Sequence, residues 1–258
     1  MSNDQSQHVK GAMAQAVCEL AQHTSKETTI EYILPAVNQI LKDSVTEVRV
    51  SLMNSIDKLA EAIGEENVST HIIPEIQKLS KDQIWRVRLA TIQFVPKLIG
   101  FISEAAFKEK IDPMLKEWLE DSVHSVRLEA IHCLIALKNK RFDQGWLEEV
   151  FAQKLEEFSS HQKFSLRIHA LFCINTIFGE VSDQFLNEKL YKTYMKKLAE
   201  DPVPNIRFNF AKTAQLLHKR LSNSSKMDCS SILKKLKESD SDNDVKFYAA
   251  QTLTECFQ

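Results

Sequence analysis

The sequence predicts an all-α solenoid, and three observations carry that expectation. Glycine (5) and proline (6) are too scarce in 258 residues for a sheet protein built on tight turns. A short acid-to-base word recurs at almost constant spacing along the chain. Each interval between its copies holds two amphipathic patterns of helical period.

The word is an aliphatic residue followed by a basic one, with an acid six positions before the base. It occurs as Asp4 with Val9-Lys10, Asp43 with Val48-Arg49, Asp82 with Val87-Arg88 and Asp121 with Val126-Arg127. It returns as Asp201 with Ile206-Arg207 and Asp240 with Val245-Lys246, while Leu166-Arg167 has His161 in the acid's place. The basic positions step by 39, 39, 39, 40, 40 and 39 residues, giving about seven repeats with terminal or incomplete first and last members.

The second helix of each repeat starts beside the word. Leu52, Ile56, Leu59, Ala60 and Ile63 follow Val48 on one face, with Gly64 as the expected stop. Val87, Ala90, Phe94 and Leu98 run to Gly100, and Leu166, Ala170, Cys173 and Ile177 run to Gly179. The first helices, such as "IEYILPAVNQILKD" and "STHIIPEIQKLSKD", carry Pro35, Pro74 and Pro113 at one repeat position. A proline inside a helix costs about 3 kcal/mol, so its recurrence predicts a bend that the architecture uses. "WLEEVFAQKLEEF" lacks the proline and is expected to be straighter. The first repeat contributes only its second helix after a lead-in at 1–7, which leaves Ala12, Val17 and Leu20 on an apolar N-terminal edge.

The spacing of acid and base has a physical rationale. An Asp in the turn can cap the following helix, whose positive end suits its charge. The base one turn later can reach the Asp of its own or the neighbouring repeat, so stacked repeats would form a structural ladder. Two-helix repeats of this length bury their apolar faces only against neighbours. They define an α-solenoid of HEAT repeats, read as one domain over 1–258 in a right-handed superhelical arc.

Composition narrows the function. Apolar residues at 43% and charged residues at 26% describe a folded chain, and 33 basic against 35 acidic residues give no electrostatic signature of a nucleic-acid partner. "KLYKTYMKK" and "ILKKLKES" alternate lysine with apolar residues at helical spacing, which is a solvated helix face. Five widely spaced cysteines without a CxxC pair support neither a zinc framework nor a redox motif, and fit a reducing compartment. "MSNDQSQHVK" lacks the order of a signal peptide, and the longest apolar run, near Ala130–Leu137, is short of a membrane span. The expectation is a soluble protein of the cytoplasm or nucleus.

Enzyme motifs are lacking: there is no Gly-rich phosphate loop, GxSxG elbow or HExxH. The protein is therefore expected to be non-catalytic, with no cofactor and no metal. Cys133 and Cys173 occupy the same repeat position, six residues after Arg127 and Arg167, and read as small buried thiols. His169 and Cys173 share a helix face as two metal ligands could, yet no further ligand accompanies them. Trp118, beside Leu115 and Leu119, reads as packing between repeats. Trp85 in "DQIWRVR" lies outside the apolar stripe, where a packing role and a binding role stand equally open.

The words "KDQIWRVRLATIQFVPKLIG", "WLEDSVHSVRLEA", "LFCIN" and "EDPVPNIRFNFAK" together resemble the scaffold (A, structural) subunit family of protein phosphatase 2A. The resemblance runs over nearly the whole chain and matches the last seven repeats of that longer scaffold. It implies a non-catalytic scaffold whose turns within repeats hold the phosphatase catalytic subunit. It also implies that the repeats engaging regulatory B-type subunits are mostly missing. Carried over word by word, the protein-binding residues are Trp85 and Arg86, Val123 and His124, Phe164, Val203, Pro204 and Asn205, and Asn243 and Asp244. His124 and Phe164 replace other aromatics, Pro204 replaces a small residue, and His161 interrupts the acid series. The alternative is a HEAT-repeat adaptor of transport-receptor type, which binds peptides or proteins along its helices.

Overall fold

The computed structural model describes residues 6–257, and every regular element among them is helical. Asp4, the acid of the first word, lies outside the described residues. The chain forms two compact bodies, residues 1–141 and 142–258.

The first body opens with the helix Gln7–Ala21. Three repeats follow, each a first helix (26–40, 65–79, 104–118) and a second helix that returns beside it. The second helices are Thr46–Met53 continued over 56–63, Trp85–Leu98, and His124–Lys140. In the second body the pairs are Gln144–Ser159 with Phe164–Ile177, 183–198 with Pro204–Leu217, and Asn223–Ser239 with Asn243–Cys256. On the N-terminal edge Ala12 and Leu20 are exposed, whereas Val17 is half-buried.

The second-helix stripes form the core of each body. Leu52, Ile56, Leu59, Ala60 and Ile63 are fully buried, as are Val87 and Leu98. Leu166 departs from the expectation and is half-buried, while His169 takes a fully buried place beside Ala170 and Cys173. Trp118 is buried, and its indole N–H donates to the Ser80 carbonyl at 3.1 Å, so it ties neighbouring repeats together.

Pro35, Pro74 and Pro113 are absorbed by a widened turn. Just before each proline the chain makes five residues of π-helix, Thr29–Ile33, Val68–Ile72 and Phe107–Ile111. There Leu34, Ile73 and Asp112 donate to carbonyls five residues back, so the ladder changes step where proline has no N–H to give. Gln144–Ser159, without the proline, is one continuous α-helix. A π-helical stretch also occurs at Leu186–Met195 with no proline, so the wide turn does not require one.

Gly64 ends its helix at φ +77°, the left-handed conformation expected of a glycine stop. Gly100 and Gly179 do not: neither has positive φ, and the chain turns there by other means. The starts of the first helices carry a second periodic device. Ser25, Ser103, Ser182 and Ser222 accept the N–H three residues on at 3.1–3.2 Å, and Asp143 does the same at 2.8 Å. These hydroxyl and carboxylate caps step by the same repeat length, with Gly64 in the series between Ser25 and Ser103.

No helix among the described residues is long and apolar enough to cross a membrane.

Candidate functional site

The turn between the two helices of each repeat is built by its acid. Asp43 Oδ1 accepts the N–H of Val45, Asp82 that of Ile84, and Asp121 that of Val123, each at 2.8 Å. Asp201 and Asp240 hold Val203 and Asp242 in the same way at 2.9 Å. The expected helix cap is thereby corrected. The carboxylate closes an Asx-type turn onto the residue that precedes the helix, and that residue's side chain makes no cap bond to the helix. Asp242 is the exception, because it caps Asp244 and Val245 directly. At the odd repeat His161 Nδ1 accepts the Lys163 N–H at 3.0 Å, so an imidazole nitrogen reproduces the carboxylate's turn.

Arg49, Arg88, Arg167 and Arg207 each reach both their own turn and the following repeat. Arg88 donates to both oxygens of Asp121 at 2.6 and 2.8 Å, and to the Asp82 carbonyl at 2.7 Å. Arg49 bonds Asp82 at 3.2 Å and Lys10 bonds Asp43 at 3.0 Å. In the second body Arg167 grips Asp201 and Arg207 grips Asp240 with paired bonds of 2.6–3.1 Å. These bidentate, charge-assisted contacts hold the Arg88, Arg167 and Arg207 guanidiniums even more firmly charged than usual. Arg207 holds the Asp240 carboxyl below the ordinary carboxylate range, and the Val45 N–H does so first for Asp43. The ladder positions the turns and leaves the residues after it to face outward.

All ten predicted binding residues fall on those next positions. Val123 and Val203 immediately precede their helices. Trp85, His124, Phe164, Pro204 and Asn243 are the first residues of five successive second helices. Arg86, Asn205 and Asp244 come second. Arg86, His124, Asn205, Asn243 and Asp244 are exposed, Phe164 is 53% exposed, and Trp85, Val123, Val203 and Pro204 are half-buried. Pro204 fits its place because the first helical N–H has no partner to lose.

Within the first body, Arg86 lies over the Trp85 ring with its guanidinium 5.0 Å from the ring centre. The pair lines a groove of about 420 Å³ together with Leu89 and with Thr46, Glu47 and Val50 of the preceding second helix. Trp85 is half-buried at the wall of this groove. In the second body Asn209 donates to the carbonyl and side-chain oxygens of Asn205 at 2.7 and 2.8 Å, which fixes that amide at the helix start.

A further apolar row was missed by sequence reasoning. Four residues into each second helix stand Val50, Leu89 and Leu128 in the first body, and Ile168, Phe208 and Phe247 in the second. None of them is buried. The signal was present in the same 39–40 residue step, read one helical turn past the ridge. The candidate metal pair and the thiols remain core features. His169 Nε2 lies 3.5 Å from Cys173 Sγ, both fully buried, and burial pushes the Cys18 and Cys229 thiols up to about 12.

Paired helices stacked through a repeating acid–base turn, with side chains presented in series, define a HEAT-type repeat scaffold. The chain belongs to the family described as PIK3R4-like, middle domain, whose profile matches residues 1–207. It is a repeat protein like the scaffold of protein phosphatase 2A. It is 32% identical over 123 residues to the PP2A regulatory protein of type A from Saccharomyces cerevisiae (strain ATCC 204508 / S288c). That match covers 45% of this chain and 19% of the yeast protein. Among solved structures it is similar to Kap121p bound to Pho4p (TM-score 0.60, 10% identity, 98% of this chain and 32% of that one). Importin beta gives a TM-score of 0.59 at 12% identity over 99% of this chain and 35% of that one. Cex1p gives 0.55 at 18% identity over 83% and 41%. At these identities the structural likeness establishes the fold alone.

Proposed function

We propose that this chain is a scaffold for a protein phosphatase 2A-type catalytic subunit, held along the turn ridge of a single solenoid domain. The observation that carries the reading is the register of the ten ridge residues. Side chains picked out by resemblance to the phosphatase scaffold family occupy three consecutive positions, the residue before each of five successive second helices and its first two residues. An exposed or half-exposed Trp–Arg pair beside an open groove is the chemistry that dominates protein interfaces, since Trp buries a large rigid ring and Arg combines stacking area with several hydrogen-bond donors. Within each body the ladder ties turns to the next repeat, through Arg49 and Arg88 in the first and Arg167 and Arg207 in the second, which stiffens the presentation. Any influence on dephosphorylation then comes from holding and positioning the enzyme. The five free thiols fit a reducing cytoplasmic or nuclear compartment.

Co-purification with a phosphatase 2A-type catalytic subunit, followed by titration, tests this. Wild type is expected to bind, and Trp85→Ala to weaken binding by about tenfold or more. No association of wild type would overturn the scaffold reading. Equal binding by Trp85→Ala would remove Trp85 as the anchor.

A further inference from the structure

On Pro204–Leu217 every fourth residue, Pro204, Phe208, Lys212 and Leu216, shares one face. That face is not the core, which on this helix is Ile206, Phe210, Ala214 and Leu217. Leu216 is instead 50% exposed. The adjoining helix Asn243–Cys256 adds Phe247, 63% exposed, and Tyr248, while its own core residues are Val245, Ala249 and Thr252. Phe208 and Tyr248 stack with ring centres 5.4 Å apart, and Phe247 meets Tyr248 edge-on at 5.3 Å. The result is a contiguous aromatic patch on the second body, of the kind that marks interaction surfaces.

A cation sits inside this patch. Lys212 Nζ lies 4.0 Å from the Tyr248 ring centre and 5.0 Å from that of Phe208. Among the described residues it makes no ion pair. Glu255, on the second of these helices, is engaged by Gln215 and Gln251. The rings orient the ammonium and strip part of its water, which strengthens its attraction for an incoming anion. A lone cation flanked by Asp244 and Glu255 is a poor match for a polyanion such as nucleic acid or a charged membrane. The rings around it ask for bulky apolar side chains.

We propose that the Phe208, Phe247 and Tyr248 patch around Lys212 docks a partner-protein segment that sets a carboxylate beside a bulky apolar side chain. The proposal does not depend on the phosphatase reading, because it concerns a helix face one turn beyond the ridge. Its test uses the full chain and a fluorescein-labelled peptide of repeating Glu-Leu-Phe-Asp in fluorescence anisotropy. Matched peptides carry Gln and Asn for the acids, Lys for the acids, or Ser for Leu and Phe.

The acidic apolar peptide is expected to saturate, and the neutral and serine peptides to bind about tenfold more weakly or worse. Lys212→Arg should keep binding, Phe247→Ala should weaken it, and Lys212→Glu should lose it and gain the lysine peptide. Circular dichroism melts check that each variant stays folded, and the exposure of Phe247 makes its truncation harmless to the core. Absence of acidic-peptide binding overturns the proposal, as does equal binding of acidic and neutral peptides or an unchanged Lys212→Glu. Self-association in sedimentation velocity that Phe247→Ala abolishes would assign the patch to a second copy and overturn it too.

Discussion

Truncation of Arg88 to alanine probes what holds successive repeats in register. The side chains of Arg88 and Asp121 are only 12% and 9% exposed, and two short bonds join them. Arg88→Ala removes both bonds and the 2.7 Å bond to the Asp82 carbonyl, and leaves the Asp121 carboxylate without its cation. Breaking a buried pair from one side costs about 3–5 kcal/mol. Asp121 keeps the Val123 N–H and borders solvent, so a loss of about 2–3 kcal/mol is expected. Because a repeat array is stabilised by nearest-neighbour interfaces, the loss should appear locally. Hydrogen exchange should accelerate first where Trp85–Leu98 meets His124–Lys140, and urea unfolding should report the total. A double-mutant cycle with Asp121→Ala should return a coupling of about 1.5 kcal/mol or more. A total loss under about 0.5 kcal/mol, typical of a surface pair, would refute the ladder as the register device.

Two further outcomes follow from the turns. Gly64→Ala should cost about 1 kcal/mol in thermal melts, because φ is +77° while the added Cβ would meet only Lys26 Nζ at 3.6 Å. Gly100→Ala, with open space and no positive φ, is the control and should be near neutral. The Asp240 and Asp43 carboxyls titrate lower in the folded chain than in the unfolded one. Their contribution to stability is therefore complete above the unfolded value of about 3.9 and is lost as pH falls through the lower folded values. The urea midpoint should hold down to weakly acidic pH and then drop, and Asp240→Asn should flatten that drop. An equally steep drop in Asp240→Asn would place the acid sensitivity elsewhere.

Much of the fold was legible because the repeat imposes one geometry many times. Period and spacing located both helices of each repeat, and the buried stripes at Leu52–Ile63 and Val87–Leu98 followed from helical period alone. The ridge register was legible as well, since Trp85, His124, Phe164, Pro204 and Asn243 inherit their places from the word before them. The function of Asp in the turn was misjudged, because a side chain three residues before the helix reaches the N–H of the residue ahead of the helix before it reaches the helix itself. The helices stop beside the glycines at 100 and 179 as the stripes implied, but without the left-handed turn of Gly64, since composition permits such a stop without requiring it. The serine caps at 25, 103, 182 and 222 went unread, although they obey the same step.

By itself the sequence determined an all-α repeat protein, its helices, and the pairing of acid with base, since these depend on local period and on a spacing repeated along the chain. Tertiary structure decided what each group does once neighbours surround it. It chose the following repeat's carboxylate as partner for Arg88 and widened the helix ahead of Pro35. It also left Trp85 at the wall of a groove, and set Lys212 against the rings of Phe208 and Tyr248. Those outcomes turn on distances between helices a repeat apart, which no local pattern encodes.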